Sequence, residues 1–322
     1  MKILVTGCVG FIGFHLTKAL LEGGYAVVGV DNLDTAYSVE LKEDRLQVLP
    51  HFPYRRYDLS DASLVSKLFE EFGIGYGDIV IHLAARAGVR ASSLYPHPYI
   101  KSNLVGFHNV LSEATAHKCQ HFIFASSSSV YGRAEPPFVE EDPAAFPLSL
   151  YAATKRSNEL MGYAYSYTHG IPVTGLRFLG AYGEWGRPDS VIWIFLEGLL
   201  NSKELVLLNE GENRRDFTYV ADVVEAIMAL MPPTFESVHP GVPYRILNVT
   251  SGINVRILDL LSMLEEEVGV KANVRKVGPN PSDIVSASAD PFNTLKLIGR
   301  EATTLQIGLS RFSDWFKSYH SR

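Results

Sequence analysis

A tyrosine and a lysine stand four residues apart in Tyr151-Ala152-Ala153-Thr154-Lys155. On a helix that spacing sends both side chains from one face and brings an ammonium close to a phenol. A neighbouring cation favours the phenolate and pulls a tyrosine pKa down from about 10 toward neutrality. A phenol tuned this way takes a proton from a substrate hydroxyl and later returns it. Upstream, Ser126-Ser127-Ser128-Ser129-Val130-Tyr131-Gly132 gathers four hydroxyls directly after an apolar run, His121 to Ala125. Ligands of doubly wound sheets bind where parallel strands end, so these serines read as ligand contacts rather than a polar loop.

The surrounding pattern must place these groups. Residues 2–6 read as a buried strand, and Gly7, Gly10 and Gly13 follow in a GxxGxxG turn. Residues 14–21 have helical periodicity, and 25–30 form a second strand ending at Asp31. The glycines permit a tight turn and let backbone N–H groups approach a pyrophosphate at a helix start. Asp31 is placed to accept hydrogen bonds from a ribose diol and to repel a 2′-phosphate, which favours NAD over NADP. A third strand at 54–57 leads to Asp58-Leu59, which can meet an adenine. Asp58, Ser60 or Asp61 can cap the helix at 62–72. A fourth strand at 79–83 ends in Ala84-Ala85, small enough for a cofactor to lie flat against it. Helices are expected at 98–117, with Asn103 inside as a packing residue or a holder of a strand end or water, and at 151–169. The intervening 135–147 is a proline- and acid-rich loop, and a sixth strand follows at 171–178.

Beyond Leu179 the alternation loosens. A loop at 180–189 is followed by a helix at 191–200, a strand at 206–208 and a helix at 220–230. A strand at 246–249, a helix at 257–268, a strand at 274–277 and a final helix at 309–319 complete the chain. The fold expected is α/β: a doubly wound parallel sheet, with a nucleotide-binding domain over 1–176 and a smaller substrate-gripping region over 177–322. The chain is expected to return to the first domain near 217–250.

The composition of the 322 residues excludes several classes. Nearly half are hydrophobic, the net charge is −6 with mixed signs, and there are two cysteines, Cys8 and Cys119. Disorder is not expected, and there is no basic block for nucleic acid or an anionic membrane. The cysteines suit a reducing cytosol and match no metal-ligand spacing. The first apolar run is too short for a signal peptide, and charges interrupt 191–208, so no membrane span is expected.

Taken together, Gly7 to Gly13, His82-Leu83-Ala84-Ala85, the serine run ending in Val130-Tyr131-Gly132, Tyr151 to Lys155 and Arg214-Arg215-Asp216-Phe217 resemble the extended short-chain dehydrogenase/reductase family over essentially the whole chain. Within it, Gly29 to Leu33 with Leu41-Lys42, Ala87-Gly88-Val89-Arg90, Leu150 to Leu160 and Trp185 to Asp189 are most similar to the UDP-glucuronate 4-epimerases. The resemblance implies that Gly7, Gly10, Phe11, Ile12, Asp31, Asn32, Asp58, Leu59, Leu83, Ala84 and Ala85 line NAD. Tyr151 is then the acid/base, Lys155 its partner and a holder of the nicotinamide ribose, and Ser127 the catalytic serine. Ser128, Ser129, Arg90, Gly180, Arg187, Arg215 and Asp283 are expected at the UDP-sugar. The reaction implied is inversion of C4 of UDP-glucuronate or UDP-galacturonate through a 4-keto intermediate, in a cytoplasmic homodimer paired through the helices at 98–117 and 151–169.

Departures from the pattern sharpen this. Dehydratases and decarboxylases of the family carry an acid just after the catalytic serine or threonine, where this chain has Ser128 and Ser129. Neither serine is an acid/base at neutral pH. Gly180 stands where relatives have asparagine or threonine, and Glu184 replaces a usual proline. A glycine offers no hydroxyl to a sugar carboxylate, so Arg187, Ser128, Ser129 and backbone N–H groups at Gly180 are expected to hold it. A neutral UDP-hexose or N-acetylhexosamine, with Gly180 making room for another C5 substituent, is the alternative substrate. The aromatic expected beside a uracil is missing around Val206-Leu207-Leu208. A non-catalytic NAD sensor is the remaining alternative, against which Tyr151, Lys155 and Ser127 all stand.

Overall fold

The computed structural model describes residues 1–231, 241–279 and 285–321. Asp283 lies outside the described residues. The chain runs β1 (Lys2–Thr6), α1 (Phe11–Glu22), β2 (Ala26–Val30), α2 (Val39–Val48), β3 (Tyr54–Arg55), α3 (Ala62–Phe72) and β4 (Ile79–His82). Then come α4 (Val89–Leu94), α5 (Pro96–Tyr99), a π-helical segment (Ile100–Gly106), α6 (Phe107–Ala116) and β5 (His121–Ala125). A 3₁₀ turn (Ser128–Tyr131) precedes α7 (Leu150–His169) and β6 (Val173–Phe178). The remainder is β7 (Ala181–Tyr182), α8 (Val191–Leu200), β8 (Glu204–Leu207), β9 (Arg214–Asp216), β10 (Thr218–Tyr219), α9 (Val220–Ala229), β11 (Tyr244–Val249), β12 (Asn254–Arg256), α10 (Ile257–Val268), β13 (Asn273–Lys276), β14 (Ser286–Ala287), α11 (Phe292–Ile298) and α12 (Leu305–His320).

Seven strands form one sheet in the order β11-β6-β5-β4-β1-β2-β3. The pairings from β6 across to β3 are parallel, as in Ile3↔Val27 and Ile3↔Ile79. This is the doubly wound α/β fold, with strand order reversing between β1 and β4, where ligands of such sheets bind. Strands buried on both faces read as continuous apolar runs, which is why β1, β4 and β5 are evident in sequence. Their side chains meet Val65, Leu68 and Phe69 of α3 and Val110, Leu111 and Ala114 of α6 in one core. Phe107 stands edge-on to both Phe122 and Phe124 at 5.7 and 5.1 Å.

The chain divides into two compact units. The first holds 1–132, 143–177 and 227–247, and thus nearly the whole sheet. The second holds 133–142, 178–226 and 248–322. Its strands make three small sheets, β7 with β10, β8 with β13, and β9 between β12 and β14. Its last helix, α12, packs an aromatic face on α8, with Trp193 5.0 Å from Phe316 and 6.2 Å from Phe312.

Several elements differ from the sequence reading. The helix expected at 98–117 runs from Pro96 to Ala116 without a gap, as α5, a π segment and α6, and the short helix α4 that precedes it, ended before Pro96, lies outside the expected range. The third strand is only Tyr54–Arg55, an edge strand whose pairing ends at Val30. The loop at 180–189 contains β7, recruited by β10. The final helix begins at Leu305, capped by Thr304 Oγ1, which accepts from Ile307 N at 3.4 Å. α2 was not expected at all.

Candidate active site

β1 ends in a turn that only a glycine can make. Gly7 has φ +67°, and a Cβ there would lie 2.7 Å from Ala84 N, so the turn packs directly on the end of β4. α1 then starts at Gly10 with no side-chain cap and no acid in its first turn. Gly10 thus offers no side-chain cap, and the first turn brings no acid of its own to compete with an anion there. Phe11 and Ile12 open this helix. At the end of β2, Asp31 is buried, and its Oδ1 accepts from Leu33 N at 2.8 Å. Burial pushes its carboxyl up, against the charges of Lys42 and Arg45 and the Leu33 and Val9 amides. Asn32 Oδ1 accepts from Asp34 N at 2.9 Å. Asp58 accepts from Ser60 and, at 2.9 Å, from Lys101, while Asp61 caps α3. Leu59 is in the core, and Leu83 and Ala85 are half-buried in the segment after β4.

α7 carries Tyr151 on its first turn and Lys155 one turn on. Two hydroxyls fix its start. Ser149 accepts from Ala152 N at 3.1 Å, and buried Ser92 of α4 accepts from Tyr151 N at 3.2 Å. Tyr99 stands edge-on to the Tyr151 ring at 6.4 Å. Lys155 is buried, and its Nζ donates to Ala125 O at 2.8 Å, at the end of β5. Burial alone lowers its pKa to about 7. Burial thus works against the steady ammonium expected from the sequence. Just beyond the end of β5, Ser127 Oγ accepts from Ser129 N at 3.2 Å and from Ser129 Oγ at 2.9 Å. Ser127, Ser128 and Ser129 are all half-buried, on a turn begun by Ser127.

Asn103 shows what the π segment achieves. Its Oδ1 accepts from Arg86 N at 2.8 Å, and its Nδ2 donates to Arg86 O at 3.0 Å and Thr154 Oγ1 at 3.1 Å. Its carbonyl accepts from Asn158 Nδ2 at 2.7 Å. One buried amide therefore ties the segment after β4 to the helix of Tyr151 and Lys155. A second device had no sequence signal. Glu159, one turn beyond Lys155 and fully buried, accepts from Ser126 Oγ at 2.5 Å. It also takes Arg177 Nε and Nη2, each at 2.9 Å, and Arg156 Nη1 at 2.9 Å. Arg177 lies 4.6 Å over the Tyr131 ring. Burial works against its charge, and Glu159 and Tyr131 more than restore it, holding its pKa above the usual value. β5, α7 and β6 are thereby locked at the serine run.

Arg90 is exposed on α4. The second unit carries the other substrate candidates. Arg187 makes a bidentate pair with Asp189 at 2.9 and 2.6 Å. Arg215 Nη1 donates to Arg214 O at 2.8 Å, and nearby in sequence Glu212 accepts from Arg256 at 3.1 Å. Gly180 corrects an expectation. It does not open space: at φ +50°, its Cβ would fall 1.7 Å from Asp216 O. The glycine is there because the Asp216 carbonyl fills the side-chain position. Glu184, in place of a proline, accepts from Tyr219 Oη at 2.9 and 2.8 Å. The strand expected at 206–208 lies at Glu204–Leu207, burying Leu205 and Leu207 and exposing Val206.

The model of the NAD dependent epimerase/dehydratase family matches residues 3–249, and the chain belongs to that family. UDP-glucuronate 4-epimerase 1 of Arabidopsis thaliana is 37% identical over 336 residues, 99% of this chain and 77% of the relative. Among solved structures, the UDP-glucuronic acid 4-epimerase of Bacillus cereus, in complex with UDP-glucuronic acid and NAD, superposes with a TM-score of 0.88 at 32% identity, covering 99% of this chain and all of that one. The UDP-glucose 4-epimerase of Thermotoga maritima, with UDP-glucose, superposes at 0.87 and 28%, with the same coverage. The cofactor is NAD, and the activity is that of a nucleotide-sugar epimerase or dehydratase. The uncapped α1 start and the Asp31 carboxylate suit a dinucleotide. Among the described residues no group of acidic, histidine or cysteine side chains could hold a metal, and no helix is long and apolar enough to cross a membrane.

Proposed function

We propose that the chain inverts C4 of UDP-glucuronate and UDP-galacturonate. The observation that carries this is the serine turn. Ser127 is followed by Ser128 and Ser129, so the position after the catalytic serine offers hydroxyls and no carboxylate. A dehydratase needs an acid/base there, whereas a 4-epimerase needs only the proton moved at O4. The similarity to UDP-glucuronate 4-epimerases supports the same choice.

NAD, when bound by the α1 start and Asp31, supplies the acceptor and donor of hydride at the alcohol carbon. Tyr151 as phenolate takes the O4 proton and gives it back after the sugar has presented its other face. Ser127 donates a hydrogen bond to the same oxygen and stabilises its developing charge. Lys155, anchored on Ala125 O, favours the phenolate when charged. The 4-keto uronate is a β-keto acid that can lose CO2, so its carboxylate must be kept from aligning with the ketone. We assign that hold to Ser128 and Ser129, and we assign the anionic groups of the nucleotide sugar to Arg187 and Arg215. A homodimer is inferred from the apolar side chains exposed on the paired helices, Ile100, Val105, Leu160 and Tyr167, and sedimentation of the purified protein checks it.

The similarity to a UDP-glucose 4-epimerase supports a second reading, a neutral UDP-hexose. Anomeric proton signals followed by NMR decide. UDP-glucuronate should yield UDP-galacturonate with wild-type protein and none with Tyr151→Phe. Turnover of UDP-glucose but not UDP-glucuronate would overturn the first reading, and release of UDP-pentose with CO2 would make the protein a decarboxylase.

A further inference from the structure

The loop that carries Arg187 is held from one side by the last helix. Trp185 has φ +56°, a left-handed backbone that a bulky residue rarely adopts. Such strain persists only where the surroundings over-determine it. Here the Trp185 ring meets Trp315 at 5.2 Å and Tyr319 at 5.4 Å, both on α12. Trp315 and Tyr319 are themselves stacked at 5.2 Å, as residues four apart on a helix can be. Glu184 accepts from Tyr219 Oη at 2.8 Å, and Arg311, four residues before Trp315, lies 5.6 Å over the Tyr219 ring. Gly186 is packed so closely that a Cβ there would lie 3.4 Å from Phe312 Cε2 and 2.9 Å from Gly183 O. Glu184, Trp185 and Gly186 thus all lead, directly or through Tyr219, to one side of α12.

The other side of the loop is fixed as well. Arg187 O accepts from Ser190 N at 3.1 Å, and Ser190 Oγ caps α8 by accepting from Trp193 N at 3.4 Å. Trp193 in turn stands 5.6 Å from Trp315. Asp189 takes Nε and Nη2 of Arg187 together, which fixes the plane of the guanidinium. An aromatic cluster needs apolar area, and it does not need that area on a strained residue. A glycine at 185 would make the same turn without strain. The strain is accounted for if the indole is the means by which α12 sets the path of the chain two residues before Arg187. In a loop with glycines at 183 and 186, an unheld arginine would be ordered only as its ligand arrives, and ordering at that moment weakens binding.

We propose that Trp185, Trp315 and Tyr319 are positioning residues: they hold the loop so that the Arg187 guanidinium is already in place when the anionic part of a nucleotide sugar arrives. They act on the ligand through Arg187 and not by touching it. The inference rests on the assignment of Arg187 to those anionic groups.

Calorimetry of UDP-glucuronate with NAD-loaded Tyr151→Phe protein, which binds without turnover, tests it. If this parent does not bind UDP-glucuronate, the uronate reading fails and the same series is read with UDP-glucose. Arg187→Ala should weaken binding by about 10-fold or more, as expected for a charged hydrogen bond lost. Trp185→Gly removes strain and ring together and should weaken binding by about 10-fold, the effect of a long side chain and its loop ordered on binding. Trp185→Phe, which keeps a ring against Trp315 and Tyr319, should stay within about three-fold of the parent. In the Arg187→Ala background, Trp185→Gly should change affinity by less than about two-fold, because the two residues act as one unit. NAD affinity should stay unchanged throughout. Trp185→Gly binding as tightly as the parent would overturn the proposal. So would an equal loss from Trp185→Gly with and without Arg187, the mark of an indole that meets the ligand itself or of a general loosening. Arg187→Ala with the parent's affinity would instead overturn the assignment of Arg187. If Trp185→Gly does not fold, Tyr319→Leu, in the last turn of α12, decides. It should weaken binding by about three-fold or more when Arg187 is present and not when it is absent, and the same affinity change in both backgrounds would overturn the proposal.

Discussion

Replacing Glu159 by glutamine tests whether the buried network behind the serine run is held by charge. The carboxylate, with no exposed side-chain surface, receives four hydrogen bonds, from Ser126, Arg156 and twice from Arg177. Glutamine keeps one acceptor, enough for Ser126 and one Arg177 donor. Its NH2 group then faces Arg177 Nη2 and Arg156 Nη1, donor against donor, and the Arg177 guanidinium, itself 2% exposed, loses its counter-ion. Breaking one partner of a buried ion pair costs about 3–5 kcal/mol, a large part of a typical stability of about 5–15 kcal/mol. At roughly 2–4 °C per kcal/mol for a chain of this class, Tm should fall by on the order of 10 °C. The control is Glu159→Met with Arg177→Met, which removes both charges and should recover much of the loss. Urea unfolding followed by circular dichroism, with calorimetry, measures both variants. A Glu159→Gln protein within about 1 kcal/mol of wild type, or a double variant weaker than the sum of its parts, would refute the reasoning. Because Ser126 precedes Ser127, the same variant should lose turnover while keeping NAD affinity.

Gly180→Thr would supply a hydroxyl but meets the Asp216 carbonyl at a left-handed φ. It should cost more than about 2 kcal/mol and bring no gain on UDP-glucuronate, and a urea midpoint equal to wild type would contradict this. Lys155 is depressed from 10.5 to about 7 by burial. The folded state therefore holds fewer protons than the unfolded chain between those values, and NAD-free protein should gain stability as pH rises from 7 toward 10.5, by up to about 1.4 kcal/mol per unit. Lys155→Met should lack that component, which urea midpoints at pH 7, 8 and 9 will show.

The elements legible in the sequence are those whose signals are local. β1, β4 and β5 are apolar runs, α3 and α10 keep one apolar face, and α8 is apolar over nearly its whole length, so period and composition found them. α2 escaped because its buried face is Leu41, Lys42 and Arg45, and two cations in a buried stripe erase the apolar pattern. The chemical candidates, Tyr151, Lys155 and the serines, could be named from spacing. The groups that hold them could not, because Glu159 meets Arg177 from another element and Ser92 meets Tyr151 across 59 residues. Gly180 carries the same lesson into function. In sequence it is a missing hydroxyl and weighs against a sugar acid. In the fold it is a backbone requirement imposed by Asp216, 36 residues later. Its lack of a side chain therefore says more about packing than about the sugar, and the choice between a uronic acid and a neutral hexose passes to groups whose side chains are free to choose, above all Ser128 and Ser129.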